Sequence, residues 1–130
     1  MTDDPGARGY LLDTSALAAI ASSRRMSTLV TAAPHFDWPL YAPVTCLDAA
    51  DRIHPGIARH VGLISAIEPL DLTYAELLDL RERAPKAGLD VAHVISLARP
   101  SPIWPGGLTV ATVLPGLYHG FQLRIFPVGE

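Results

Sequence analysis

Short apolar segments alternate with segments of helical composition along most of this chain, and this alternation restricts the possible fold more than any other feature. The apolar segments that suit β-strands lie at residues 9–13, 40–43, 67–72, 108–113 and 123–128. Strands separated by helices usually pair in parallel, because each helix carries the chain back across one face of the sheet. We therefore predict an α/β fold: a three-layer sandwich with a central, mainly parallel sheet of roughly four to five short strands and helices on both faces.

The segments between the strands carry helix signals of different strength. Residues 14–21 have helical composition, with Thr14 or Ser15 near the cap. Arg24 and Arg25 are expected to end this helix, because cations suit the carboxyl end of a helix dipole. Thr73 opens a capping box at the start of a later helix. Further helices are predicted at residues 27–33, 44–53, 57–64, 73–83 and 90–99.

Length and composition indicate a small globular protein. A chain of 130 residues that is 49% hydrophobic can bury a core, which predicts one domain over residues 1–130, with residues 1–8 as a flexible N-terminus. No apolar run approaches the roughly 18–20 residues that a membrane span needs. The acidic start is unlike a secretory leader, and a lone Cys46 cannot form an internal disulfide. We therefore expect a cytoplasmic protein with no membrane segment.

The charge balance restricts the possible partners. The formal net charge of −3 weighs against tight, sequence-independent binding of nucleic acid, because proteins that depend on phosphate contacts are usually basic. A nuclease is not excluded, since a metal ion can neutralise its acidic residues. The loose basic stretch formed by Arg52, His54, Arg59 and His60 is interpreted as a solvated surface rather than an RNA contact.

Asp13 is the residue most suited to chemistry, because it ends the first predicted strand. In parallel sheets, binding sites form at the carboxyl ends of strands, where the strand order reverses. Asp13 is followed by Thr14 and Ser15, whose hydroxyl groups could bind a phosphate or a metal-bound water. The alternative is that Asp13 only caps the helix that follows it.

Residues 10–17 resemble the opening of PIN domains, the fold of VapC-type toxin ribonucleases: an apolar strand, an aspartate, then Thr or Ser and a helix. The family has a second acid in the helix after the second strand, where this chain has Asp48, and a third acid at the start of the helix before the fourth strand, where it has Asp90. The closing region, with Tyr118 in a turn, is also similar. The resemblance covers about residues 8–128.

The resemblance implies a metal-dependent endoribonuclease, a hydrolase that cleaves RNA with a water activated by Mg²⁺ or Mn²⁺. Its metal ligands and catalytic residues would be Asp13, Asp48 and Asp90. The hydroxyl groups of Thr14, Ser15 and Thr112 would hydrogen-bond the substrate or metal-bound water. The implied partners are an RNA substrate, a second copy in a homodimer, and a small antitoxin protein.

The chain departs from the family pattern in two places. Asp48 stands where glutamate is usual, which shortens the reach of the carboxylate by one methylene. Alignment on Thr112 places Leu114 at the fourth acidic position, and no acid occurs in residues 101–128. Three carboxylates can hold one metal, but a second metal is less favoured. The alternative is a degenerate, non-catalytic PIN-like domain that binds RNA or protein.

Several other residues have two interpretations. Asp51 could replace Asp48 in the site, and Asp90 could cap its own helix. His93, three residues after Asp90, is expected to be a solvent-facing or hydrogen-bonded histidine rather than a ligand. Cys46 is expected in the core, and Trp104 is expected to cover a sheet edge or a dimer face, or to stack on a base. A phosphohydrolase with Asp13 as nucleophile is disfavoured, because Ser15 stands where such enzymes have a second aspartate.

Overall fold

A computed structural model describes residues 9–129 of the chain, so the N-terminus predicted to be flexible, residues 1–8, lies outside the described part. The strands are β1 Tyr10–Leu12, β2 Leu40–Pro43, β3 Ile67–Leu70, β4 Thr109–Thr112 and β5 Ile125–Pro127. The α-helices are α1 Thr14–Ala18, α2 Arg24–Ala32, α3 Val44–Ile53, α4 Ile57–Gly62, α5 Tyr74–Arg83 and α6 Leu89–Ala98. Short 3-10 helices cover Ala33–Phe36 and Pro115–Tyr118.

All the strands pair in parallel and form one sheet with the order β3-β2-β1-β4-β5. The chain moves from β1 through β2 to β3 in one direction, then crosses to β4 and β5 on the other side of β1. Because such crossovers are right-handed, the two directions put helices on opposite faces. The predicted α/β sandwich with a parallel sheet is confirmed. The strand order reverses between β1 and β4, which is where a binding site is expected.

The centre of the sheet is fully buried and fixes the elements that carry the site. Leu11 and Leu12 of β1 and Val110 of β4 have no exposed surface, and the same is true of Leu17 in α1 and Val94 in α6. Burial of each such side chain stabilises the fold by about 1.5–3 kcal/mol. The residues that follow β1 and β4 are therefore positioned by strands that are held in the buried core.

Helix α2 corrects one prediction from the sequence. Arg24 and Arg25 do not end α1, which stops at Ala18; they are the first two residues of α2. The Ser23 hydroxyl group decides this boundary, because it accepts a hydrogen bond from the Met26 backbone N at 3.2 Å and caps the new helix. Both arginines consequently lie at the positive end of a helix dipole, where cations are unfavourable.

Other helix signals are confirmed. The Thr73 side chain accepts a hydrogen bond from the Glu76 backbone N at 3.1 Å, and the Glu76 carboxylate accepts one from the Thr73 backbone N at 3.0 Å, which completes the capping box. Cys46 is fully buried, as expected of a core residue. Among the helices of residues 9–129, none is long and apolar enough to cross a membrane.

Candidate functional site

A small cavity of about 150 Å³ lies at the carboxyl edge of the sheet, between the ends of β1 and β4. Asp13 enters it directly after β1, and Asp90 enters it from the first turn of α6. The lining residues are Asp13, Thr14, Ser15, Cys46, Ile53, Asp90, Val91, Leu114, Leu117 and Tyr118. The structure therefore brings together two of the three predicted carboxylates, with two of the predicted hydroxyl groups beside them.

Asp13 is buried, at 2% exposure, and is held by groups of its own chain. Its Oδ1 accepts hydrogen bonds from Ser15 Oγ at 2.7 Å and from the Ala16 backbone N at 2.9 Å. Its Oδ2 accepts one from the Tyr118 hydroxyl group at 2.7 Å. Asp13 thus caps α1 and also links the start of the chain to the 3-10 helix near its end.

A chain of hydroxyl groups extends from Asp13 into the sheet. Ser15 has one hydroxyl hydrogen, which it donates to Asp13, so the 3.1 Å contact between Ser15 Oγ and Thr112 Oγ1 is donated by Thr112. Backbone N–H groups complete the pattern, since Val113 donates to Ser15 Oγ and Leu114 donates to Thr112 Oγ1, each at 2.9 Å. The predicted site hydroxyls are therefore used to fix the end of β4 to Asp13.

Asp90 is half-buried and lies on the other side of the cavity. Its Oδ2 accepts a hydrogen bond from Thr14 Oγ1 at 2.5 Å. Its backbone carbonyl accepts a weak hydrogen bond from Cys46 Sγ at 3.7 Å, so the thiol of α3 packs against the start of α6. Thr14 joins Asp90 while Ser15 joins Asp13, and the two adjacent hydroxyls thus serve different carboxylates.

Asp48 does not line this cavity. Its side chain is 64% exposed and forms an ion pair with Arg52 at 2.5 Å, one helical turn further along α3. Cys46 of the same helix faces Asp90. Asp48 lies two positions later, so its side chain is rotated by about 200° around the helix axis, away from the cavity. The alternative acid, Asp51, is also used elsewhere: it accepts hydrogen bonds from the backbone N atoms of Gly56 and Ala58 at 3.0 and 3.1 Å.

The donor set can be compared with the metal centre that the resemblance implies. In residues 9–129, no group of three or more His, Cys, Asp or Glu side chains converges so as to hold a metal ion. Leu114, at the fourth acidic position, lines the cavity with a side chain that is 52% exposed and offers no oxygen ligand. The residues present do not fit a centre of three carboxylates.

The two weakly acidic groups in the cavity wall stay protonated. Burial, together with the neighbouring Asp13, raises the pKa of Tyr118 far above its ordinary value, so its hydroxyl group remains a donor to Asp13. Burial raises the pKa of the Cys46 thiol to about 12, and the nearby Asp90 acts in the same direction. Because the thiolate is the reactive form of cysteine, this shift disfavours Cys46 as a nucleophile.

His93 lies outside the cavity, in the middle of helix α6. It is 1% exposed, and its Nδ1 is 2.8 Å from Thr45 Oγ1, whereas its buried Nε2 has no hydrogen-bond partner among residues 9–129. Burial lowers its pKa below the ordinary value, although the nearby Glu76 opposes this shift. His93 is therefore a buried histidine: the side chain does not face solvent, but it has the hydrogen bond that was the other expectation, at one of its two nitrogens.

Sequence reasoning did not identify the role of Tyr118. Its contact with Asp13 spans 105 residues, and no local spacing indicates it. The apolar rim was also missed: Ile53, Leu114 and Leu117 line the cavity with exposures of 66%, 52% and 46%. The position of Ile53, seven residues after Cys46 in the same helix, is the one local signal that places both on one face.

Comparison with family models, with curated proteins and with solved structures found no match for this chain. The fold and the cavity define it as a parallel, five-stranded α/β domain with two carboxylates at the point where the strand order reverses.

Proposed function

We propose that this chain is a PIN-like domain that binds a partner protein at the carboxyl-edge cavity and does not hydrolyse RNA there. The observation that carries the proposal is the hydrogen bonding of Asp13, whose two oxygens accept from Ser15, the Ala16 backbone and Tyr118. A carboxylate offers roughly four lone-pair positions, so most of its capacity is already used.

The hydrogen bonds of Asp13 make it a poor centre for a cation. A divalent ion bound there would displace the Tyr118 hydroxyl group or compete with it at Oδ2. The carboxylate that would compensate, Asp48, faces solvent and is paired with Arg52. Cation binding would replace satisfied, buried hydrogen bonds with an incompletely coordinated ion. This exchange is unfavourable, so the hydrogen-bonded, metal-free arrangement of Asp13 is favoured.

The rim of the cavity supports a protein partner. Ile53, Leu114 and Leu117 present apolar surface around the cavity that holds Asp13 and Asp90. An apolar side chain of a partner would cover this rim, and a donor next to it would reach the half-buried Asp90. The resemblance implies a small antitoxin protein as the partner and a homodimer, and the composition of the sequence suggests a cytoplasmic location; we retain these as parts of the proposal.

The second candidate is the metal-dependent ribonuclease, which would use Mg²⁺ or Mn²⁺ on an RNA substrate. One observation favours it: Asp13 and Asp90 line the same cavity although they are far apart in the sequence. The proposal and this candidate differ in whether the two carboxylates bind a cation.

A cleavage assay distinguishes the two. Purified protein is incubated with single-stranded and structured RNA in Mg²⁺ or Mn²⁺, with EDTA and the variant Asp90→Asn as controls, and Mn²⁺ binding is measured by calorimetry. We expect no cleavage that depends on both metal and Asp90, and no stoichiometric Mn²⁺ binding. Cleavage that is lost with EDTA and in Asp90→Asn would refute the proposal and establish the ribonuclease.

The binding part of the proposal needs its own measurement. Where a short reading frame lies directly upstream of the gene, its product is titrated against the wild-type protein and against Leu117→Gln. We expect binding that Leu117→Gln weakens at least about tenfold, as removal of a central apolar contact does at interfaces. Equal affinity of the two proteins would show that the partner does not use this rim.

A further inference from the structure

A second cavity, of about 240 Å³, lies beside the loop that joins α6 to β4, and no residue lines both this cavity and the one that holds Asp13. We name it the Trp104 cavity; it is lined by Pro39, Tyr41, Ile103, Trp104, Pro105 and the two glycines that follow Pro105. None of these residues carries a charge. The volume is below the roughly 300–1,000 Å³ that is usual for small-molecule sites, so the cavity suits the side chains of a peptide better than a complete small ligand.

The loop that carries Trp104 is fixed by its own sequence. Three prolines restrict the backbone of residues 100–107. Gly107 has a φ of +77°, and a Cβ at this position would collide with the Ala98 carbonyl oxygen, so glycine is needed where the loop closes on the end of α6. The Ser101 backbone N donates to the Trp104 carbonyl at 2.9 Å, and the Trp104 backbone N donates to Ser101 Oγ at 3.1 Å. Trp104 is therefore positioned without a partner, which lowers the entropic cost of binding one.

Trp104 and Tyr41 form an aromatic wall of the cavity. Their ring centroids are 5.3 Å apart at an interplanar angle of 60°, and both side chains are half-buried. Gly9 makes room for the Tyr41 ring, because a Cβ on Gly9 would lie 3.0 Å from Tyr41 Cε2. Ile103 lines the same cavity and is 75% exposed, so apolar surface continues from the rings to the solvent. Two rings set at an angle, beside an exposed apolar side chain, form a groove for a compact apolar group.

The polar groups that the cavity offers are mainly donors. Within residues 9–129, neither the Trp104 indole N–H nor the Tyr41 hydroxyl group has a hydrogen-bond partner, and neither is among the buried polar atoms, so both are accessible. The indole N–H can only donate. The carbonyl groups of Pro39, Trp104 and Gly106 already accept hydrogen bonds from within the chain. A suitable ligand therefore presents acceptors and apolar groups, with few N–H groups to satisfy.

From these rings and donors we infer that the Trp104 cavity binds a proline-rich segment of a partner protein in the polyproline II conformation. Such a segment presents apolar rings and free backbone carbonyl groups, and its prolines have no N–H group. Aromatic-lined grooves are the usual binding sites for this conformation. A partner strand cannot be added to the sheet here, because Tyr41 lies in an inner strand that is paired with both β1 and β3. The inference does not depend on the proposed function, because it concerns a different surface.

Trp104 provides a direct probe. The chain has two tryptophans, and the variant Trp38→Phe leaves Trp104 as the single tryptophan while keeping a ring against Tyr10 and Phe36, which Trp38 contacts. Octaproline, about 25 Å long at 3.1 Å per residue, is titrated into this protein, and a Gly-Ser peptide of the same length is the control. We expect a saturable change in Trp104 fluorescence with octaproline and none with the Gly-Ser peptide.

Matched variants locate the site, with octaproline affinity measured by calorimetry and folding checked by circular dichroism. Trp104→Phe and Tyr41→Phe keep the rings and remove one donor each, so each should weaken binding by about twofold to tenfold, as expected for one neutral hydrogen bond. Their control is Tyr74→Phe, a tyrosine on α5 that is 76% exposed. Ile103→Ser should weaken binding at least about fivefold, whereas Leu63→Ser, at a leucine that is 82% exposed and outside the cavity, should not.

Ile103 is exposed, so Ile103→Ser should fold even if a ring variant does not. Three results would overturn the inference: no saturable change with octaproline, equal binding of the Gly-Ser peptide, or equal losses in the control variants. Quenching of Trp104 by oligo(U) without octaproline binding would assign the cavity to base stacking instead. A dimer that depends on concentration and is lost in Ile103→Ser, without peptide binding, would assign it to a second copy of the chain.

Discussion

Tyr118→Phe isolates the hydrogen bond that most distinguishes the carboxyl-edge cavity. The substitution keeps the ring, which is 3% exposed, and removes only the hydroxyl group that donates to Asp13 Oδ2 at 2.7 Å. Asp13 is itself 2% exposed, so water does not readily replace the lost donor. Hydrogen bonds to charged groups contribute about 1.5–3 kcal/mol, and a buried acceptor left unsatisfied has a similar cost. We expect the free energy of unfolding to fall by about that amount.

Thermal unfolding followed by circular dichroism measures this change. For a chain of this length the entropy of unfolding near the midpoint is about 0.27 kcal/mol/K, so Tm should fall by about 5–11 °C. Tyr74→Phe is the matched control, because Tyr74 is 76% exposed, and its Tm should shift by less than about 2 °C. If Tyr118→Phe is no less stable than Tyr74→Phe, the hydroxyl group does not hold Asp13 and the argument against a cation there loses its basis.

Three further predictions follow from named contacts. Because burial lowers the pKa of His93, the unfolded chain takes up a proton that the folded chain does not, so the free energy of unfolding should fall as pH drops below about 6.5. His93→Leu should flatten this decrease, and an unchanged pH profile in that variant would contradict the reasoning. Ser23→Ala should destabilise the fold by about 1–3 kcal/mol in urea unfolding, since it removes the cap of α2 and a donor to the Val128 carbonyl. The double variant Leu114→Asp/Tyr118→Phe should bind Mn²⁺ in a calorimetric titration, and Leu114→Asp alone should bind it more weakly. If the double variant does not bind Mn²⁺, this cavity cannot assemble a third carboxylate ligand.

The sequence was sufficient for the fold because the signals involved are local. Alternating apolar and helical segments, closed by proline and glycine, give the element order, and right-handed crossovers leave few ways to arrange parallel strands. The placement of Asp13 followed from the same rules, because it ends a central strand, whereas Asp90 was proposed from the resemblance to PIN domains. Their approach to one cavity could not be derived from the sequence, because it depends on how α6 packs at the end of the sheet.

The parts that could not be predicted depend on rotation and on distant contacts. The resemblance to PIN domains suggested Asp48 on α3, and this helix does border the cavity, but the direction of a helical side chain changes by about 100° per residue, and the cavity receives Cys46 instead. The end assigned to Arg24 and Arg25 was wrong because Ser23 could equally end one helix or cap the next, and its bond to the Met26 backbone is visible only in three dimensions. The contact of Tyr118 with Asp13 could not be predicted either, because the two residues are 105 positions apart and a 3-10 helix brings Tyr118 to the end of the sheet.

The structural role of Asp13 changes how any activity experiment on this chain has to be interpreted. Asp13 caps α1, accepts from Tyr118, and through Ser15 is linked to Thr112, so it has a full stabilising role without any ligand. An Asp13→Asn protein that loses a function could have lost it through the fold. Asp90 accepts one side-chain hydrogen bond, from Thr14, and is half-buried, so Asp90→Asn removes a carboxylate from the same cavity with less structural loss. A function that survives Asp90→Asn but fails in Asp13→Asn therefore reports on stability, whereas one that fails in Asp90→Asn at unchanged Tm reports on the chemistry of the cavity.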